Sequence, residues 1–146
     1  MPSLAHELHL LVALMDRRAD ALLQRSGCEL SYARFLVLLH VSDGDGMTQR
    51  DLSARLGTSE AAVSRMVAGL ARDGYLDVAR GTGNRRSLSL TQHGGVALTA
   101  AGEALGDGFD RLVRSCGTDP DALATSVRTV AAALQQLTPS TVPQEV

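Results

Sequence analysis

Residues 48–91, TQRDLSARLGTSEAAVSRMVAGLARDGYLDVARGTGNRRSLSLT, decide how this 146-residue chain folds. Each element in the stretch is punctuated by the residue its local physics requires. Thr48 and Asp51 lie three apart and form a capping pair, a hydroxyl and a carboxylate that take up free N–H groups of a first helical turn. Leu52 and Leu56 then share one face, and Gly57 supplies the left-handed residue that stops the helix. A second helix starts at once. Thr58 or Ser59 can cap it, Glu60 sits near its positive end, Val63, Val67 and Leu70 form an apolar stripe, and Gly74 closes it.

Two helices joined by so short a turn must cross steeply and share a core, which leaves the outer face of the second one free. That face carries Ser59, Ala61, Ser64, Arg65 and Ala68: small residues that permit close approach, and one guanidinium able to bond a guanine edge bidentately. After it, residues 75–80 have strand character, 81–84 form a Gly-rich turn, and Ser87 to Thr91 alternate polar and apolar at the strand period. Arg80, Arg85 and Arg86 surround the loop. Helix, turn, helix and an arginine-tipped hairpin predict a winged helix-turn-helix, mainly α with a small β-hairpin wing. In that arrangement Arg65 reads a base in the major groove of duplex DNA while the wing arginines reach the flanking minor groove.

The block LGTSEAAVSRMVAGLARDGYL, followed by NRRSLSLTQHG, resembles the DNA-binding core of the multiple antibiotic resistance regulator (MarR) family of bacterial transcription factors. The resemblance implies a homodimer paired through its outer helices, bound to a pseudo-palindromic operator. It also implies a crevice between the dimer and DNA-binding regions that takes a small phenolic or other aromatic effector. Ser64 and Arg65 match family positions that face the major groove, and Asn84 and Arg86 match the aspartate and arginine of the wing. Two departures stand out: Asn84 replaces the acid, and the run from Asn84 to Leu90-Thr91 is two residues shorter than the common pattern.

The net charge of −2 argues against a polyanionic partner until it is resolved along the chain. Residues 48–93 hold seven arginines against four acids, a local +3, which leaves −5 for the rest. All fourteen basic residues are arginine, so phosphate contacts would be planar and fork-shaped. No apolar run approaches a membrane span, and charges interrupt the first twenty residues from Glu7 onward, so the expected compartment is the cytoplasm. Cys28 and Cys116 are far apart and make no disulfide framework.

The flanks read as helices with apolar faces. Leu4, Leu8, Leu11, Val12, Met15, Leu22 and Leu23 keep helical spacing up to Ser26-Gly27, and a second helix runs from about Ser31 to Val41. After Thr91 one long helix is expected to carry Leu98, Ala101, Leu105, Phe109, Leu112 and Cys116, with Cys116 in the core. Asp119-Pro120 caps and begins a last helix bearing Leu123, Val127, Val130, Leu134 and Leu137, which Pro139 ends. The expected organisation is a single domain over 1–137, with 1–30 and 92–137 as dimerisation helices, 31–91 as the winged-helix core and 138–146 as a tail. An effector crevice would be lined by Met15, Tyr32, Phe35, Leu36 and His40.

Other chemistry is thinly represented. His6 and His9 lie three apart, but His40 and His93 are elsewhere, and no metal-ligand spacing emerges. No phosphate loop, nucleophile elbow or paired-acid motif is present, so neither a cofactor nor an enzymatic activity is expected. Two alternatives remain beside an effector-responsive regulator: redox sensing through Cys28, and a winged helix used for protein contacts without DNA.

Overall fold

The computed structural model describes residues 1–44, 46–81 and 85–137. In chain order the elements are α1 (Leu4–Arg25), α2 (Tyr32–Asp43), β1 (Met47–Thr48), α3 (Gln49–Leu56), α4 (Glu60–Arg72), β2 (Leu76–Arg80), β3 (Arg86–Leu90), α5 (Gln92–Leu105), α6 (Gly108–Ser115) and α7 (Pro120–Leu137). They divide into two compact units, Met1–Leu105 and Gly106–Val146.

The first unit is built around one core in which Leu23, Val37, Leu38, Leu52, Val63, Leu70 and Ala101 are completely buried. The helix-turn-helix forms as its punctuation dictates. Asp51 N–H donates to Thr48 Oγ1 at 3.1 Å while Thr48 N–H donates to Asp51 Oδ2 at 3.0 Å, a reciprocal capping box. Gly57 stands at φ 62°, a left-handed position that a Cβ disfavours. Of the two caps open to α4, Ser59 takes the role, its hydroxyl accepting from Ala62 N–H at 3.1 Å. Val63, Val67 and Leu70 face inward as their spacing requires.

The wing contains one more strand than expected. β1 adds to the hairpin to give an antiparallel sheet of order β1-β3-β2, pairing Met47 with Leu88 and Thr48 with Ser87. Two residues are too few to show alternation, so this strand leaves no sequence pattern. In the hairpin, Leu76 pairs with Leu90, Val78 with Leu88 and Arg80 with Arg86. Only Leu76 of β2 and Leu88 of β3 are buried, so the far end of the ribbon stands out from the body.

The helices expected to face a partner also serve this core. α1 buries Ala19 and Leu23 from its second half, whereas Leu4, Leu8, Leu10, Leu11, Val12 and Leu14 of its first half are exposed. α5 contributes Ala101 and seats its first turn on the turn between α4 and β2. There Thr91 Oγ1 donates to the Gly74 carbonyl at 2.6 Å and accepts from Gly94 N–H at 2.9 Å.

The long helix expected after Thr91 is instead two helices. Gly106 takes φ 55°, ending α5 at Leu105, and α6 begins at Gly108. A residue in the left-handed region cannot continue an α-helix, whatever the apolar spacing on either side. Cys116 is also exposed rather than in the core, because it caps α6 beyond the last turn. In the second unit α6 and α7 pack on each other, with Asp119 capping α7 through the N–H groups of Asp121 and Ala122. None of its described residues is buried, and Leu112, Val127 and Val130 are each at least half exposed. Pro139 and the tail from 138 onward lie outside the described residues.

Candidate nucleic-acid interface

The outward face of α4 is as the sequence predicts: Ser59, Ala61, Ser64, Arg65 and Ala68 are all exposed. Its aim is set from behind. Ser53 Oγ donates to the Thr58 carbonyl at 2.6 Å and Thr58 N–H donates back to the Ser53 carbonyl at 3.2 Å, fixing the turn between α3 and α4. At the other end Arg34 of α2 donates to Asp73 at 2.9 Å, and its guanidinium lies so close over Gly69 that a Cβ there would stand 2.8 Å from it. The Asp73 carboxyl is held below the usual aspartate range, chiefly by the Arg34 hydrogen bond.

In the wing, Arg80, Arg85 and Arg86 are exposed, and Gly81 N–H donates to the Arg85 carbonyl at 2.7 Å to close the hairpin below its tip. The tip, Asn84 included, lies outside the described residues. Arg80 and Arg86 are direct cross-strand partners, two guanidinium groups on the same face of a protruding ribbon. Among the described residues neither they, nor Arg65, nor Arg85 makes an ion pair within 4 Å. The Asp51 carboxyl is nevertheless held low, first by its bonds from the Thr48 backbone and hydroxyl and then by the fields of Arg55 and Arg85.

Folding brings the wing base to the first turn of α3. Thr48, Gln49, Arg50, Asp51, Arg85 and Arg86 line one open cleft of about 690 Å³. Arg50 was not singled out from sequence; its only local signal is a place just after an N-cap. Its guanidinium reaches Glu60 of α4 at 3.9 Å, so α3, α4 and the wing share one charged surface.

The residues expected to form the effector crevice divide. Phe35 is buried in the core and stacks with Tyr32 at a ring separation of 5.9 Å, while Met15, Tyr32, Leu36 and His40 are half-buried. Burial raises the Tyr32 phenol pKa, with a smaller push from Asp16. Cys28 lines a separate 240 Å³ cavity with Tyr75, Leu30 and Ala97. His6 and His9 are exposed on α1, His93 stacks on Tyr75 at 4.6 Å, and no group of three metal-ligating side chains occurs among the described residues. No helix among them is long and apolar enough to cross a membrane.

Residues 29–87 match the model of the MarR family. That stretch, from just before α2 to the start of β3, is where the chain is similar to the MarR family. An uncharacterized HTH-type transcriptional regulator of Bacillus cereus is 32% identical to it over 73 residues, 50% of this chain and 49% of that protein. The chain thus spans about half the length of the curated relatives it matches. Among solved structures, the Mycobacterium tuberculosis transcriptional regulator MosR in complex with DNA has a TM-score of 0.79 at 21% identity, covering 94% of this chain and 100% of that one. The Staphylococcus aureus MepR–DNA complex has a TM-score of 0.76 at 17% identity over the same shares. At such identities the likeness to these two structures is one of fold, and it embraces nearly the whole of the chain.

Proposed function

We propose that this chain is a homodimeric, sequence-specific DNA-binding transcriptional regulator of the MarR family, acting as a repressor relieved by a small effector. The observation that carries the reading is the pairing of Arg80 with Arg86 across the wing. Like charges directly opposite each other destabilise a ribbon, and no acid among the described residues relieves them within ion-pair distance. A polyanion would. With Arg65 also exposed, on the outward face of α4, the surface suits one duplex read in the major groove and gripped through phosphates or the minor groove. The similarity to MosR and MepR, each solved with DNA, supports the same reading.

The dimer rests on the apolar surface left over. The first half of α1 exposes Leu4, Leu8, Leu11 and Val12 at helical spacing, and the second unit has no buried residue of its own among those described. Helices so placed need a partner, and a second copy supplies an identical one. In this reading a small aromatic effector enters among Met15, Tyr32, Leu36 and His40, with Phe35 as its floor, and weakens DNA affinity by linkage.

The test begins by recovering duplexes from sheared genomic DNA with the parent protein. Affinity is then measured on a recovered and a scrambled duplex at two salt concentrations. Arg65→Ala should cost about 1–3 kcal/mol and relax preference at one position per half-site. Arg86→Ala should weaken both duplexes and flatten the salt slope. Sedimentation should give two chains per duplex. Parent-like binding by both variants would overturn the roles given to Arg65 and Arg86, recovery of no duplex by the parent would leave a winged helix that serves protein contacts only, and one chain per duplex would refute the dimer.

A further inference from the structure

Glu60 is an oddity on a surface built for a polyanion. It is the first residue of α4, just after the Ser59 cap, and it shares the outward face with Ser64 one turn on and with Ala61, Arg65 and Ala68. The first-turn residues of such a helix are those that meet base edges. An unmatched carboxylate there would be repelled by phosphates on both sides. A favourable interaction with the positive end of the helix accounts for an acid at this position. It does not account for Arg50, which comes from a different helix, lines the cleft beside Arg85 and Arg86, and still reaches Glu60 at 3.9 Å.

We propose that Glu60 is a specificity-determining residue that accepts a hydrogen bond from the exocyclic amine of a cytosine, and that Arg50 is its positioning residue. This deepens the DNA-binding reading and rests on it. Of the four bases, cytosine offers the major groove only a donor amine at its pairing edge, the group a carboxylate can accept from. Adenine also has an amine, but its neighbouring N7 is an acceptor that a carboxylate repels. Arg50 stands 3.9 Å from Glu60 and lines the cleft with Arg85 and Arg86, so on DNA its guanidinium offsets the acid's repulsion by phosphates and restrains its rotamer. In free protein the pair is exposed, with 74% and 66% of the two side chains accessible, and contributes little to stability. On DNA, with water displaced, the same pair strengthens.

A double-mutant cycle tests this. The probe is a duplex of about 30 base pairs, long enough for two half-sites one turn apart, recovered by the parent protein from a randomised pool and accompanied by all its single-base-pair variants. Glu60→Gln should reduce the preference for C·G at one position of each half-site by about ten-fold and leave affinity for scrambled duplex unchanged or higher. Arg50→Ala should lower affinity for the recovered duplex, and its effect should be at least about three-fold smaller in the Glu60→Gln background. An unchanged base profile in Glu60→Gln, with Arg65→Ala still impaired, would overturn the inference alone. So would an Arg50→Ala loss equal in both backgrounds, which marks a plain phosphate contact. A lower melting temperature for Glu60→Gln with equal losses on every duplex would reduce Glu60 to a helix-end charge. Recovery of no duplex by the parent would overturn the DNA-binding reading and this inference with it.

Discussion

Gly94→Ala and Gly95→Ala make the same chemical change at neighbouring positions of α5, and the structure predicts opposite signs for them. A Cβ built on Gly94 would stand 2.0 Å from the Tyr75 carbonyl oxygen and 3.0 Å from its carbon, whereas one on Gly95 meets nothing within 4 Å. Real Cβ contacts do not fall below 3.0 Å, so either the first turn of α5 or the backbone after α4 must retreat by roughly 1 Å. That retreat pulls on Thr91, whose N–H donates to the Tyr75 carbonyl at 3.2 Å and whose hydroxyl donates to the Gly74 carbonyl at 2.6 Å. Overpacking of this kind costs about 1–3 kcal/mol and each strained hydrogen bond about 1 kcal/mol more, against a helix-propensity gain of at most about 1 kcal/mol. Gly94→Ala should therefore destabilise by about 2–4 kcal/mol, a large part of the roughly 5–15 kcal/mol that holds a domain of this kind together. Gly95→Ala should stabilise by up to about 1 kcal/mol. Urea unfolding followed by circular dichroism reads both, at one fixed protein concentration because the stability of the proposed dimer would depend on it. A Gly94→Ala midpoint equal to or above that of Gly95→Ala would refute the close approach of α5 to the end of α4.

The capping box predicts that Thr48→Ala lowers stability by about 1 kcal/mol while Thr48→Ser, which keeps the hydroxyl, changes little. Equal losses in the two variants on urea titration would show that packing of the Thr48 methyl matters rather than the cap. Asp73 supplies a pH test. Its folded-state pKa is depressed by Arg34, so its contribution is present above the unfolded value near about pH 4 and is lost as pH falls through the lower folded value. Asp73→Asn should thus melt below the parent at neutral pH, and the two melting curves should converge on acidification past about pH 4. A gap that persists unchanged would dismiss the Arg34 pair as its cause.

Much of the helix-turn-helix and wing architecture is legible because its signals are local. Capping at Thr48 and Ser59 and chain reversal at Gly57 and Gly74 each depend on groups within about four residues, so residue identity at one position settles backbone conformation at the next. The exposed face of α4 follows from the buried one, since Val63, Val67 and Leu70 leave Ala61, Arg65 and Ala68 no other direction. β1 is illegible for the opposite reason: its two residues become a strand only because Leu88 and Ser87 arrive beside them. The break at Gly106 was hidden by apolar spacing that continues across it, a periodicity that registers faces and is blind to a single left-handed residue.

The charged site follows the same division. That Arg65, Arg80, Arg85 and Arg86 would be exposed is written in the chain, because arginine is rarely buried without a partner and these sit opposite apolar stripes or at a turn. That Arg50 would stand by Glu60, ten positions away on another helix, depends on how α3 crosses α4. Likewise α1 carries one unbroken apolar pattern, yet its second half is buried by the core and its first half is bare. The sequence by itself determined which segments are helices, where most of them start and stop, and which face of each is apolar, because those are matters of hydrogen bonding and spacing within a few residues. Only the tertiary structure decided what each apolar face meets, which charges become neighbours, and where Tyr75 and Gly94 touch, because those distances are set by the crossing of elements that the chain brings together from afar.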